Sequence, residues 1–418
     1  MQAKGGRVLA QRKAEGSTAF NSLRALRYRY FRFFWIGQAV SAIGTWMQIV
    51  TLSLLVLKIT HGSAFALGTV SLAQALSFFF FALVGGSVAD RIDKRRLLLF
   101  TQSTSAGLAI ILGVLTWAGV IQFWMILVIS FLNGTVLSFD QPARGALIPA
   151  LVPKEDLMNA ISLQSTVFYG AAAVGPALAG FGVSLLGYAG NFFLNGASFI
   201  GVLIALYVMR APVQFTYRQT AFESIRESLR TVRRDTVLPW VLTGYGALLC
   251  FGPSPALILP IYSLRVLHVG PERLGLLFSA VGLGSILGAL IVASLGSDTR
   301  KGYTHLLGIL IWVGALTSFA LSGWLWLSMA ALLVVGVGHA FTATTTIALL
   351  QTRVPEQMRG RAMSLNTLLI MGIRPLGDFP AGALISAIGA PATVLLSAGL
   401  VGTYGAVVSL TRPSIRSA

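Results

Sequence analysis

The sequence predicts an all-α membrane protein in which twelve transmembrane helices form two pseudo-symmetric six-helix bundles. Three observations carry that expectation. Hydrophobic residues make up 55% of the 418 residues and charged residues only 11%, too few charges to cover a soluble surface of this size. No Asp, Glu, Lys or Arg lies between Arg96 and Asp140, between Asp156 and Arg210, or between Lys301 and Arg353. Each of those runs is long enough for two spans of ~20 residues joined by a tight turn. Finally, 27 of the 31 Lys and Arg residues fall in every second gap between apolar segments or in the terminal stretches. That pattern is the positive-inside bias of cytoplasmic loops, and it places both termini in the cytoplasm. Backbone in lipid must satisfy its own hydrogen bonds, so the runs are helices and not open strands; the alternating pattern of a transmembrane barrel is not visible.

The apolar segments run over 34–57, 66–88, 97–118, 123–141, 157–186, 190–209, 238–262, 274–296, 304–322, 325–349, 361–388 and 391–411. Residues 1–33 form a basic, polar tail with no separate apolar core, which reads as a cytoplasmic tail and not a cleaved signal. Residues 34–209 make the first bundle and 238–411 the second, and 412–418 form a short tail. Between the bundles, 210–237 is the longest polar stretch. Phe222, Ile225, Leu229 and Val232 recur in it at helical spacing with charges on the other faces, as in an amphipathic helix lying on the cytoplasmic surface.

The two halves repeat. A shift of 202 residues lays Val152-Pro153 on Val354-Pro355 and Ser162-Leu163 on Ser364-Leu365. In the same register, without a gap, Gly170, Gly175, Ala179-Gly180, Ser184 and Gly187 fall on Gly372, Gly377, Ala381-Gly382, Ser386 and Gly389. Parallel repeats about an axis along the membrane normal are an architecture of transporters that rock two bundles around a central site.

The net charge of +18 invites a nucleic-acid reading. Its dispersal over separate loops is accounted for by topology and by attraction to anionic lipid, so no nucleic-acid partner is expected. A single cysteine, Cys250, excludes an intrachain disulfide. No phosphate-cradling pattern of glycines before Lys-Ser or Lys-Thr occurs. With no metal-ligand cluster and no nucleophile–base arrangement either, neither an enzyme nor a cofactor is expected. An ion gradient is the implied energy source.

After the second segment the chain reads Gly86-Ser-Val-Ala-Asp90-Arg91-Ile-Asp93-Lys94-Arg95-Arg96. This resembles the loop 2–3 signature of the major facilitator superfamily, and the resemblance extends from residue 30 to 411. Asp93 stands where that family usually has glycine, so the turn is open to a different shape. The resemblance implies a gating latch. Asp90 would face the start of the eleventh helix near Arg361, and Asp140 would pair with Arg91; the alternative is that these charges only fix topology. In the fifth segment, Ala171-Ala-Ala-Val-Gly175-Pro176-Ala-Leu-Ala179-Gly180 resembles the antiporter motif of exporters in the superfamily. Gly175, Pro176 and Gly180 match, while Ala171 and Ala179 replace glycines; ordinary small-residue packing is the alternative. With Gln141-Pro142-Ala143-Arg144 and Val152-Pro153 after the fourth segment, the whole is most similar to the enterobactin-exporter and drug:proton antiporter branch.

Charged side chains inside a helix cost at least ~2.5–3.5 kcal/mol each and mark function by default. Arg374 and Asp378 are four apart in the eleventh segment, on one face of a regular helix, and read as a buried ion pair. Proton uptake by Asp378, or capture of an anionic substrate by Arg374, would couple to rocking; a self-satisfied structural pair is the alternative. Gln48, Asn133, Gln164, Tyr169, His339 and Asn366 are further intramembrane polar groups. The resemblance implies that helices 1, 4, 5, 10 and 11 line the cavity, which makes these six pocket candidates, although a lone histidine is also a common structural residue. Asn191 and Asn195 read as packing. Alongside Phe78 to Phe81 and Phe168, such a pocket suits amphipathic ligands.

The expected activity is therefore secondary active transport. A proton-coupled exporter of siderophore-like or amphipathic drug-like molecules comes first, acting as a monomer in the cytoplasmic membrane on a small-molecule substrate, with protons and membrane lipid as its other partners. A lipid or lysolipid flippase or a solute importer, and a non-transporting sensor, are the alternatives.

Overall fold

The computed structural model describes residues 23–209, 230–295, 300–355 and 358–416. Among them there is no strand. Eleven stretches are long and apolar enough to cross a membrane. One of these, 154–208, is two helices that meet at Gly187, whose φ of 71° breaks the helical path. Twelve spans result, as the hydropathy pattern predicts.

In chain order they are α1 (Arg29–Ile59), α2 (Ala64–Arg91), α3 (Lys94–Trp117) and α4 (Phe123–Leu151), then α5 (157–186) and α6 (188–208). The second half begins with α7, which is broken into Leu238–Phe251 and Pro255–Arg265. After it come α8 (Pro271–Ser294), α9 (Lys301–Leu321) and α10 (Leu325–Arg353). Helix α11 has three parts: Arg359–Leu368, a π-helical turn at Leu369–Ile373, and Arg374–Ile388. Then come α12 (Ala390–Thr411) and the short α13 (Pro413–Arg416).

Several helices extend a few residues past the expected bounds, and two differences bear on the site. Helix α4 does not end at Gln141. It continues through Pro142 and Pro149 to Leu151, because within a bundle neighbouring groups take over a hydrogen bond that proline removes. Helix α7 is broken at Gly252-Pro253, and Ser254 restarts it by accepting the Leu257 N–H with its hydroxyl. The amphipathic segment expected over 210–237 falls largely outside the described residues. Its end is described, where Asp235 accepts the N–H groups of Val237 and Leu238 at the start of α7 and pairs with Arg353 at 3.5 Å.

The internal repeat is visible in the packing. Gly187 and its repeat partner Gly389 both have positive φ, 71° and 86°, and both turn one span directly into the next. A Cβ at Gly175 would overlap α1 at Trp46, and one at its partner Gly377 would overlap α7 at Cys250. A Cβ at Gly180 would strike the Pro271 carbonyl at the start of α8, and one at Gly382 the Ala64 carbonyl at the start of α2. Helices α5 and α11 thus use the same small residues to press against the equivalent neighbours, one in their own bundle and one across the midline, where the absence of a side chain lets backbones meet.

The core is shared at one end of the molecule and divided at the other. One apolar cluster takes Met47, Val50 and Leu67 from the first bundle and Leu257, Ile261, Leu274 and Ile385 from the second. Towards the end that carries the termini and the basic loops, two separate clusters replace it. Phe34, Leu98, Leu147, Leu163 and Leu206 belong to the first bundle alone, and Leu238, Leu350, Leu365 and Val408 to the second alone. Among the described residues the bundles are therefore sealed at the far end and part at the basic end.

Candidate functional site: a central cavity below a sealed end

A cavity of about 570 Å³ occupies the middle and basic end of the first bundle, and Met371 of α11 closes it from the second. Helix α1 presents Gln38, Ser41, Thr45, Gln48 and Leu52 to it, a stripe at helical spacing. Opposite stand Gln102, Asn133, Gln141, Arg144 and Gln164. Trp46, Phe168 and Tyr169 build an aromatic wall, with ring centroids 6.2 Å apart for the first pair and 5.6 Å for the second. The wall is apolar with a few amide groups, and several amides are incompletely bonded. The side-chain oxygens of Gln38, Gln102 and Gln164 are buried without a hydrogen-bond partner.

Of the six pocket candidates, Gln48, Asn133, Gln164 and Tyr169 line the cavity; His339 and Asn366 do not. His339 lies deeper in the second bundle, its ring centroid 6.0 Å from that of Tyr245, with Nε2 buried and unpartnered. Asn366 is buried with its Oδ1 unpartnered. Asn191 holds α6 to α1 and α5 through Thr51 and the Ala179 carbonyl, both at 2.9 Å, as a packing residue should. Asn195 has a second role: it donates to Gln48 at 2.6 Å and reaches the cavity wall. Gln38, Gln102 and Trp46 were not singled out from sequence, and Arg144 was named only as part of a motif and not as a cavity residue. The α1 stripe 38-41-45-48-52 is the signal that finds Gln38.

The buried ion pair is not formed. Ion pairs among the described residues join Arg24 and Arg27 to Asp156, Arg144 to Asp140, and Arg353 to Asp235. Asp378 instead accepts the backbone N–H of Ser254 at 2.9 Å, at the break in α7, with the Ser71 side chain of α2 beside it. An amide left without an intrahelical partner competes for the carboxylate. Arg374 follows the π-helical turn directly, and its Nε is buried without a partner. Its charge acts on Tyr245, His339 and Asp378, and it stands three residues beyond Met371, though it does not itself line the cavity. π-helical turns of this kind recur at functional sites.

The loop between α2 and α3 is also rearranged relative to expectation. Asp140 does not pair with Arg91. It binds Arg144 one turn along its own helix, and it accepts from Thr101 at 2.8 Å and Gln102 at 2.6 Å. The intrahelical i,i+4 partner is simply nearer, and Arg91 is exposed. Asp93 caps α3 by accepting the N–H groups of Arg95 and Arg96 with its side chain, at φ −54°. That geometry needs no glycine, which explains the departure from the family pattern. Arg95 reaches the last carbonyls of α6, donating to Leu206 at 2.5 Å and Tyr207 at 2.6 Å, where a cation is favoured. Lys94 is buried, and nothing lies within 4 Å of a Cβ placed at Gly86. The expected latch of Asp90 on the start of α11 near Arg361 involves side chains outside the described residues.

The family described as transmembrane secretion effector matches residues 20–415, nearly the whole chain. The chain belongs to this family, within the major facilitator superfamily. It is 25% identical over 392 residues to the enterobactin exporter EntS of Salmonella typhi, covering 90% of each chain. It is 26% identical over 368 residues to the multidrug efflux pump Tap of Mycolicibacterium fortuitum (84% of this chain, 88% of that one). Similarity to the staphyloferrin A transporter of Staphylococcus aureus is 24% over 373 residues (83% and 87%). Among solved structures, a bacterial homologue of the lysosomal transporter Spinster superposes with a TM-score of 0.75 at 14% identity, covering 93% of this chain and 99% of that one. A bacterial homologue of ferroportin gives 0.66 at 18% identity (90% and 98%). The protein is a multi-pass transporter of the major facilitator type and not an enzyme.

Proposed function

We propose that this transporter is a proton-coupled exporter of siderophore-like or amphipathic drug-like molecules, working by alternating access in the cytoplasmic membrane with both termini inside. The observation that carries the reading is the cavity itself. It lies under a shared, sealed core and faces the end where the bundles part. The positive-inside bias makes that end cytoplasmic, so a substrate would enter from the cell interior. An aromatic wall with scattered amides suits a ligand that is largely apolar with a few polar groups, and the named relatives handle siderophores and drugs.

In this reading each group has a place. Asp378 sits at the sealed end between α7, α11 and α2, where taking up a proton would weaken its hold on Ser254 and loosen the seal. Arg374, with a buried nitrogen unpartnered, would receive an anionic group of the substrate. Gln48, Asn133, Gln164 and Tyr169 would line the binding site. The close contacts of α5, with α8 at Pro176 and Gly180 and with α1 at Gly175, would be the pivot. Gly86, Asp90, Arg91, Lys94 and Arg95 would guard the cytoplasmic side when the bundles close there. The proton gradient suffices without a cofactor: one charge crossing about 100 mV carries ~2.3 kcal/mol, which at ~1.4 kcal/mol per tenfold sustains a gradient of roughly fifty-fold.

The test is proton flux in inside-out vesicles, read with a pH-sensitive dye while lipophilic drugs and catecholate siderophores are added in turn. Ligand-triggered proton release that Asp378→Asn lacks supports the reading. Absence of ligand-triggered flux across the panel removes proton-coupled export.

A further inference from the structure

A second cavity lies on the outside of the second bundle, away from the transport site. It is a groove of about 380 Å³ between α9 and α12. One wall is Tyr303 to Val313 of α9, including the exposed side chains of Tyr303 and Leu310. The other is Gly402, Gly405, Ala406 and Ser409 of α12, where small residues leave the space open.

Its length and its ends define what fits. From residue 303 to 313 the α9 wall rises roughly 15 Å at ~1.5 Å per residue, about half of the ~30 Å hydrocarbon thickness of a bilayer. One leaflet's acyl chain spans that distance. Three cations stand on the chain at the basic end of the groove. Arg300 and Lys301 open α9 within a turn of Tyr303, and Arg412 follows α12 three residues beyond Ser409. The two ends are side by side, since a Cβ on Gly302 would overlap the Ile415 carbonyl of α13. Arg412 is held there, its guanidinium carbon 4.3 Å from the centroid of the Trp240 ring. Among the described residues no carboxylate pairs with any of the three cations. Tyr303 sits at the level of the charges, as aromatic residues do at a headgroup boundary.

We infer that this groove is a binding site for one anionic phospholipid of the leaflet at the basic end, with an acyl chain between α9 and α12 and the phosphate on Arg300, Lys301 and Arg412. What supports this site is the match of an apolar slot one leaflet long to cations at its mouth. Anionic lipids concentrate in a cytoplasmic leaflet and attract such cations. The site joins α9, α12 and α13, so the lipid would brace the second bundle from outside.

The experiment is native mass spectrometry of the full chain in detergent with equal amounts of phosphatidylglycerol and phosphatidylcholine bearing identical acyl chains. Wild type retains phosphatidylglycerol over phosphatidylcholine by about five-fold or more, five-fold being the scale of a single basic contact worth ~1 kcal/mol. Arg300→Gln with Lys301→Gln removes most of that preference while leaving the Arg412–Trp240 stack in place. Ala406→Phe, at an exposed position inside the groove, lowers retention of phosphatidylglycerol with no change in melting temperature. Leu310→Trp narrows the groove from the opposite wall and gives the same loss if Ala406→Phe does not fold. Equal retention of the two lipids by wild type overturns the proposal. So does a preference that survives the double charge variant, or retention indifferent to a filled groove.

Discussion

The carboxylate of Asp378 and the backbone N–H of Ser254 are joined across 2.9 Å at the point where α7 breaks. Charge and hydrogen bond can be separated at this contact, because asparagine keeps an acceptor oxygen and alanine does not. Asp378→Asn is expected to retain nearly the wild-type melting temperature in detergent. Asp378→Ala leaves a buried N–H unpaired and loses about 1–3 kcal/mol. In vesicles both variants lose ligand-triggered proton flux. An Asn variant that couples normally would reduce Asp378 to a helix cap.

A second contrast concerns Asp140, which is 2% exposed and binds Arg144, Thr101 and Gln102. Arg144→Gln leaves its carboxylate with two neutral donors only. Breaking a fully buried pair costs ~3–5 kcal/mol, and the loss here falls below that range because Arg144 borders the cavity. Arg91→Gln, at an exposed position, changes stability by no more than ~0.5 kcal/mol. Thermal unfolding of the two variants side by side distinguishes the observed pairing from the one the family resemblance implies.

These cases show which parts of the protein could be read from sequence. Span number followed from length and charge-free runs, which depend on bilayer thickness and not on tertiary detail. The repeat was legible because Gly187 and Gly389 must take positive φ, a demand glycine meets without strain. Partner choice was not legible. The i,i+4 spacing of Arg374 and Asp378 suggested a pair, but the break at Gly252-Pro253 exposes an amide on another helix that claims the carboxylate. The same spacing between Asp140 and Arg144 does form a pair, with no broken helix competing. Sequence spacing states which groups can meet; the packing of neighbouring helices decides which do.

Asp156, in the loop before α5, anchors the start of the described chain. It accepts from the Tyr28 hydroxyl at 2.7 Å and pairs with Arg27 at 2.8 Å and Arg24 at 3.2 Å. The Tyr28 hydrogen bond foremost, and then the two guanidinium groups, hold its pKa below the ordinary 3.8. A depressed carboxyl pKa contributes stability that is fully present above the unfolded value and is lost as pH falls through the folded one. Protection factors over residues 23–28, corrected for the intrinsic pH dependence of amide exchange, are therefore expected to be constant from pH 7 to 5 and to fall only in strong acid. Asp156→Asn gives fast exchange at every pH, and equal protection in the variant would show that the clasp does not hold this segment.

The seam between α5 and α8 admits no side chain at Gly180, where a Cβ would meet the Pro271 carbonyl. Across the same end, Arg265 donates to the Gly62 carbonyl at 2.8 Å. Gly180→Val should wedge this end apart and favour the arrangement opened there. Spin labels at the exposed positions Lys58 and Leu264 would report a longer distance, together with slower transport. An unchanged distance with normal transport would mean that the seam yields locally and is not the pivot.

In the proposed reading Arg374 selects the substrate by its charge. Its Nε has no protein partner, and charge-assisted hydrogen bonds to a carboxylate or phenolate are about twice as strong as neutral ones. Arg374→Gln removes the charge while keeping a donor of similar reach. Apparent affinity for anionic ligands should fall about ten-fold or more, as loss of a charged contact worth ~1.5–3 kcal/mol implies. Neutral and cationic ligands should bind as before, because the amides and aromatic wall of the first bundle are untouched. Titration of matched charged and neutral ligands by tryptophan fluorescence separates the two classes. A uniform loss across both would mean that Arg374 holds α11 in shape and does not read the ligand's charge.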